Sequence, residues 1–366
     1  MAQTKENFPI SFVIIGSGWR SEFYVRIAKQ YPEQFELKYM LCRSQEKADK
    51  IAEKYDISTT TSEEACVSAK PDFVVVAVNK DGLFEVTKHW ALKGFPVLCE
   101  TPVATSVEHL KEVWDMVQKG AKIQIAEQYH RYPIMAAGLK AIAEDKLTDP
   151  YAVHLSMAHD YHGVSLIRRM LQPHEPMKLK LEYMSGVQYK FPVTETDSRF
   201  GVITDGSVKE FPRTVITMQF AGNKVAFYDF SGVQYHSFIR SRHVNVQGRD
   251  GEWNDTMLRY LDGNGQPVAE KLTEWLNPKY VCLDTEQLQE QSSEWKPFVV
   301  MDNAQDEYAI ASMMFDMREY IVSGAEVYPM AEALEDAYLL LLIREAVKQP
   351  GCRIVPEAMP WQEVSE

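Results

Sequence analysis

Apolar and polar positions in the first third of the chain fall into two alternating rhythms. Four short runs, Ser11–Ile15, Glu36–Cys42, Asp72–Val78 and Pro96–Cys99, are largely apolar. Between them Arg20–Gln30, Gln45–Tyr55 and Gly82–Lys93 carry apolar residues at three- and four-residue spacing. A run such as Phe73–Val78, apolar throughout, fits a strand buried on both faces of a parallel sheet, and the spaced segments fit the helices that cover it. Alternation at this length predicts right-handed βαβ units and a doubly wound sheet. Helix Val107–Lys119 and strand Lys122–Ala126 complete an α/β domain over residues 1–128. Pro133 then opens helix Ile134–Asp145, which leads into a second domain over residues 129–366.

There the rhythm changes. Strand Tyr151–Met157 is followed, from Lys178 to about Phe298, by segments alternating with period two: LKLEYMSGVQY, RTVITMQF, KVAFYDF and HSFIRSRHVNVQG. Turns such as Ala221–Lys224 join neighbours. The expectation is an α+β domain with an open, largely antiparallel sheet, one face on helices and the other turned to a partner subunit. Tyr183, Tyr189, Phe191, Phe227, Tyr228 and Tyr235 are read as core and interface, and Asp262–Gln266 and Thr285–Ser293 as loops. The final helices are free to pack back on the first domain.

Composition narrows the class. The 366 residues have room for two domains, and 45% hydrophobic with 25% charged residues is ordinary for a globular protein. A formal net charge of −13 argues against nucleic acid as a partner, because most of the surface would repel phosphate. No apolar run has the length of a membrane span, and the N-terminal stretch has no hydrophobic leader segment, so a cytoplasmic protein is expected. The five cysteines, Cys42, Cys66, Cys99, Cys282 and Cys352, show neither paired spacing nor a zinc pattern, and no metal site is expected.

The chemistry begins at Phe12–Phe23, FVIIGSGWRSEF, a strand that breaks at Gly16 and restarts as a helix after Gly18. Gly16 permits the tight turn, Gly18 lets backbone approach a pyrophosphate, and the helix N-terminus offers N–H groups and a positive dipole end. Ser21 stands at the third position of the fingerprint. Two glycines alone suit a cofactor loop or an ordinary βα turn; the surrounding alternation selects the cofactor loop. Gly16, Ser17, Gly18, Trp19 and Arg20 are therefore the candidate dinucleotide cradle. After the second strand, Leu41-Cys42-Arg43-Ser44 offers no carboxylate for a ribose 2′-hydroxyl. Arg43 and Ser44 suit a 2′-phosphate, which favours NADP over NAD; Arg43 stacked on adenine would suit either. Asn79, at the end of the third predicted strand, is a further cofactor candidate.

With these features, Glu100-Thr101-Pro102 and the later Tyr129-His130-Arg131-Tyr132-Pro133 make the chain resemble the Gfo/Idh/MocA family, that of glucose–fructose oxidoreductase and inositol dehydrogenase. The closing pattern from Asp302 to Val347 is similar to the family's last helices. The resemblance implies an NAD(P)-dependent dehydrogenase or reductase acting on CH–OH groups of a sugar, cyclitol or related polyol, assembled as a homodimer or homotetramer through the C-terminal sheet. It implies Glu100 near the nicotinamide ribose and Thr101, Tyr129, Arg131 and Arg168 at the substrate. Thr101 stands where the family's E-K-P motif has its catalytic lysine, and a threonine hydroxyl is too weak an acid to be a base near neutral pH.

The proton-handling groups lie further on, in Ala158-His159-Asp160-Tyr161-His162. Two imidazoles, a carboxylate and a phenol at a helix start can move protons at neutral pH, with Asp160 as the expected helix cap. Without the resemblance, a cap followed by surface histidines fits equally. Aligned on the family motif D-x-G-x-H-x-x-D-x-x-R, His162 takes the histidine position and Arg168 the arginine, while the first aspartate falls on Ala158. His162, assisted by Tyr161 or His159, is the expected catalytic group. Two other functions fit the same residues: a redox-assisted, NAD-dependent glycosidase, and a catalytically silent NAD(P)-binding regulator that lost its lysine.

Overall fold

The computed structural model describes residues 9–198, 201–277, 282–283 and 304–362. The chain forms two compact units, one of Met1–Tyr132 with Lys296–Ala337, the other of Pro133–Trp295 with Tyr338–Glu366. Helix Met330–Lys348 begins in the first and ends in the second.

The first unit is built on six parallel strands: β1 Ile10–Ile15, β2 Phe35–Leu41, β3 Thr59–Thr60, β4 Phe73–Val76, β5 Val97–Cys99 and β6 Ile123–Ile125. They lie in the order β3-β2-β1-β4-β5-β6, so the direction of winding reverses between β1 and β4. Helices α1 Ser21–Gln30, α2 Gln45–Tyr55, α3 Glu63–Ser68, α4 Leu83–Leu92 and α5 Val107–Gln118 alternate with the strands. Every residue of β1 and β4 is buried, as continuously apolar strands require, and each large apolar side chain so placed contributes roughly 1.5–3 kcal/mol. Helix Ala304–Ser323 joins this core: Ile310, Met314 and Met317 pack among Phe23, Tyr24, Ile27 and Phe35, and the Phe315 ring meets Phe35 edge-on at 4.9 Å. Strand β3 was not expected, since two residues carry no periodicity.

In the second unit, helix α6 spans Pro133–Ala143 and helix α7 Asp160–Leu171. The strands are β7 Ala152–Ser156, β8 Leu181–Thr194, β9 Asp197–Ser198, β10 Gly201–Val202, β11 Val208–Phe220, β12 Lys224–Phe230, β13 His243–Gln247, β14 Gly251–Asn254, β15 Met257–Leu261, β16 Pro267–Lys271, β17 Leu276–Asn277 and β18 Cys282–Leu283. Eight form one sheet in the order β16-β15-β14-β13-β7-β12-β11-β8, antiparallel throughout except for the parallel pair β12 and β7. The β11–β12 turn uses left-handed Gly222 and Asn223, as a tight hairpin demands.

Alternation divides the sheet cleanly. Val153, Leu155, Ile216, Met218, Ala226, Tyr228 and Val246 are buried on one face. On the other, His154 stacks on Phe227 with ring centroids 4.5 Å apart. Helix α7 lies on the buried face so closely that a Cβ on Gly163 would come 2.6 Å from the Tyr228 ring. One strand expectation is corrected. In HSFIRSRHVNVQG only His243–Gln247 is strand, because the Phe238 amide donates to Thr196 Oγ1 and Asp197 Oδ2 and so leaves the ladder. Residues 262–266 form the expected turn, whereas the predicted loop at 285–293 lies outside the described residues.

Candidate functional site

The winding reversal and the glycine turn coincide. Gly16 follows β1 with φ +114°, and a Cβ there would sit 2.4 Å from the Ala77 carbonyl oxygen at the end of β4. Only glycine closes this turn. Around Gly18 a Cβ would meet nothing within 4 Å, so the backbone faces open space, and α1 begins with no side-chain cap. A tight turn, an open glycine and an uncapped helix start suit a pyrophosphate. Ser21 donates from Oγ to the Gly16 carbonyl at 3.0 Å, so the departure from a third glycine braces the turn from beneath.

Ser17 reaches the Cys42 thiol at the end of β2. Burial pushes that thiol up, against the hydrogen bond with Ser17 and the charge of Lys47, which pull it down. Beyond it Arg43 is exposed, and Ser44 caps α2 by accepting from the Lys47 amide at 3.4 Å. The next carboxylate along the chain, Glu46, is 79% exposed and pairs with Lys50 one helical turn on. Asn79 starts the 3-10 turn Lys80–Gly82 after β4, its side-chain oxygen beside Gly82.

Trp19 is 40% exposed and meets Phe23 edge-on, centroids 5.0 Å apart. Arg20 turns inward, its guanidinium 5.1 Å from the Trp19 ring centroid and its Nε 3.5 Å from Glu100. With the Gln128 amide oriented to make both its bonds, that side chain donates to the Ala126 carbonyl at 3.2 Å and accepts from Arg20 at 3.1 Å. Glu100 also accepts from Tyr24 at 2.7 Å, a bond closed to solvent. Burial and the adjoining carboxylate hold the Tyr24 phenol neutral, well above its ordinary range. Arg20 therefore anchors Glu100 inside this unit, beside the turn that the sequence assigns to the cofactor. Thr101 follows, half-buried. Tyr129 is buried with its ring 4.9 Å from Tyr132, and Arg131 forms an ion pair with Asp316 of the helix Ala304–Ser323. Tyr132 donates to Asp306 on the same helix.

In the second unit only three residues separate β7 from α7, and the helix start is crowded with polar groups. Tyr161 and His162 are each 2% exposed, and His159 is half-buried. The His159 and His162 rings meet edge to face, centroids 4.9 Å apart, and Tyr161 lies 5.9 Å from His162. The expected Asp160 cap is corrected: His159 is the cap residue and no side chain of the segment caps it. Two phenols do so instead. Tyr235 accepts from the His159 amide at 2.9 Å and Tyr228 from the Asp160 amide at 2.8 Å, while Tyr228 donates onward to the Ala158 carbonyl at 3.1 Å. Burial and the charge of Asp160 keep Tyr228 protonated far beyond its normal range.

Arg168 is 1% exposed and donates to the Pro176 carbonyl at 3.0 Å. Tyr24, Gln128, Tyr228 and Tyr235 were not singled out from sequence as site residues, because each reaches its partner across the fold. Among the described residues no group of three His, Cys, Asp or Glu is placed to hold a metal, and no helix is long and apolar enough to cross a membrane.

Residues 10–128 match the family model of the Gfo/Idh/MocA proteins, described as an oxidoreductase family with an NAD-binding Rossmann fold. No curated protein matches. Among solved structures, an oxidoreductase from Agrobacterium radiobacter in complex with NAD+, L-tartaric acid and magnesium superposes with a TM-score of 0.69 at 11% identity, covering 95% of this chain and 98% of that one. An NAD-binding oxidoreductase from Klebsiella pneumoniae gives 0.70 at 14% identity, with 96% and 100% covered. Levoglucosan dehydrogenase in complex with NADH and levoglucosan gives 0.68 at 15% identity, again with 96% and 100% covered. At these identities the likeness is one of fold, and it extends over both units.

Proposed function

We propose, on the premise that the Rossmann unit belongs to the Gfo/Idh/MocA oxidoreductases, that this protein moves a hydride between a nicotinamide cofactor and a carbinol or keto carbon of a sugar, cyclitol or related polyol. The observation that carries the reading is the cradle at the winding reversal: Gly16, which a Cβ would jam, beside Gly18, which faces open space. The nicotinamide, when bound, supplies the redox chemistry. Everything else falls to the chain.

Gly16, Ser17, Gly18 and the α1 N-terminus hold the pyrophosphate. Exposed Arg43, with Ser44 and with Glu46 committed to Lys50, supports NADP over NAD. Glu100, fixed by Tyr24 and Arg20, is the carboxylate for the nicotinamide ribose. His162 exchanges the proton of the substrate oxygen in place of the lysine that Thr101 replaces, with His159 and Tyr161 beside it. The sheet face carrying His154 and Phe227 is the surface for a second copy, and the cell compartment is the cytoplasm. The fold shared with levoglucosan dehydrogenase supports a sugar-like substrate.

The test is to purify the protein, identify any bound nucleotide, and screen polyols and their keto forms for change in the nicotinamide absorbance band. Oxidation or reduction of a polyol is the expected result. Tight NADP(H) binding with no polyol turned over would contradict it and favour the regulator.

A further inference from the structure

Glu100 is held from a distance as well as by its neighbours. With its amide oriented to make both bonds, buried Gln128 accepts from Arg20 at 3.1 Å, and Arg20 in turn meets Glu100. Gln128 opens the 3-10 turn Tyr129–Arg131, in which the Arg131 amide donates to the Gln128 carbonyl at 2.9 Å. Tyr132 ends that turn, and its hydroxyl donates to Asp306 on the helix Ala304–Ser323, 174 positions further along the chain. Burial, with the charge of Asp306, keeps this phenol protonated well above its ordinary range, so it stays a donor. The same helix makes two more such grips: Arg131 pairs with Asp316, and Arg26 of α1 pairs with Glu307 at 2.7 Å. Both stretches that carry the partners of Glu100 are therefore tied to one helix.

We propose that Asp306 is a positioning residue of the cofactor site: by holding Tyr132 it fixes the turn that begins at Gln128, and Gln128 holds Arg20 against Glu100. The inference rests on the oxidoreductase reading above, in which Glu100 meets the nicotinamide ribose. It brings to that contact a group from the C-terminal part of the chain. Burial alone would lower the Arg20 guanidinium, yet Glu100, Tyr24 and Asp306 hold it above its ordinary range, so the charge of Asp306 is felt at Arg20. Ordering a side chain during binding weakens affinity, and a carboxylate fixed beforehand avoids that loss.

The test is a double-mutant cycle between Asp306 and Glu100 on the full-length protein, with two readouts. Without cofactor, urea midpoints of Asp306→Ala, Glu100→Gln and the double variant are compared with the wild type. The combined loss should fall short of the sum of the single losses. With NADPH, Asp306→Ala should weaken binding about fivefold. Asp306→Asn keeps an oxygen for the Tyr132 hydroxyl and should stay within about twofold of the wild type. In the Glu100→Gln background, Asp306→Ala should change affinity by less than about twofold. Tyr132→Phe removes only the hydroxyl and should repeat the Asp306→Ala pattern, which keeps the test in hand if that variant does not fold. A purely structural Asp306 would lower affinity equally in both backgrounds. That outcome, additive urea midpoints, or unchanged affinity in Asp306→Ala would overturn the inference. The urea arm needs no nucleotide, so a protein that binds none would count against the oxidoreductase reading, while the midpoints still decide this one.

Discussion

The Tyr24 hydroxyl donates a 2.7 Å hydrogen bond to Glu100, from a helix packed on the sheet to the end of a strand within it. Glu100 is only 8% exposed and also faces Arg20, so its position is set by Tyr24 of α1 and by Arg20 at that helix's N-cap. Tyr24→Phe removes the shorter of these contacts and leaves a buried carboxylate oxygen short of a donor. Such losses cost roughly 1–3 kcal/mol. Urea unfolding of the variant should show a lower midpoint, and its cofactor affinity should fall as Glu100 loosens.

The two glycines of the cradle should separate folding from binding. Gly16→Ala forces a Cβ to 2.4 Å from the Ala77 oxygen at a positive φ, so the variant should lose stability, read by thermal unfolding. Gly18→Ala meets no protein atom within 4 Å. It should unfold like the wild type but bind NADPH more weakly, read by fluorescence titration. A Gly18→Ala variant with unchanged affinity would remove the pyrophosphate from this turn.

The proposed preference for NADP rests on Arg43. Replacing it with Ala should weaken NADPH binding about tenfold or more, by loss of a guanidinium–phosphate contact, and should leave NADH affinity nearly unchanged. Equal effects on both cofactors would show that Arg43 acts through adenine.

Glu307 gives a signed dependence on pH. Burial raises its carboxyl above the ordinary 4.5, although Arg26 at 2.7 Å pulls the other way. The folded state therefore holds this proton more tightly than the unfolded chain. The contribution to stability is fully present below pH 4.5 and is lost as pH rises through the higher folded value. Glu307→Gln removes that loss, so between pH 4.5 and neutrality its stability should fall less, or rise more, with pH than that of the wild type. Denaturation curves at stepped pH measure the difference in slope.

Much of the fold was legible because its signals are local. The apolar runs of β1 and β4 and the period-two strands β11 and β12 state their own burial. What they could not state is where a hydroxyl goes. Tyr228 reads from alternation as a core residue, and it is one, yet its oxygen ends on the Asp160 amide 68 positions away in the chain. Tyr235 reaches His159 across 76 positions, and the contact of Arg20 with Glu100 spans 80 positions of chain. The Asp160 cap failed for the same reason: local propensity favours Asp at a helix start, but two phenols from the facing sheet and its following turn had already taken the amides.

The central claim is that His162 moves the substrate proton in an NADP-preferring oxidoreductase. The most direct measurement compares His162→Ala with the wild type, in turnover of whichever polyol the screen identifies and in NADPH affinity. The account predicts turnover lowered by about 10²-fold or more with affinity held within about twofold, as loss of an acid–base group requires. Turnover that survives the substitution would contradict it.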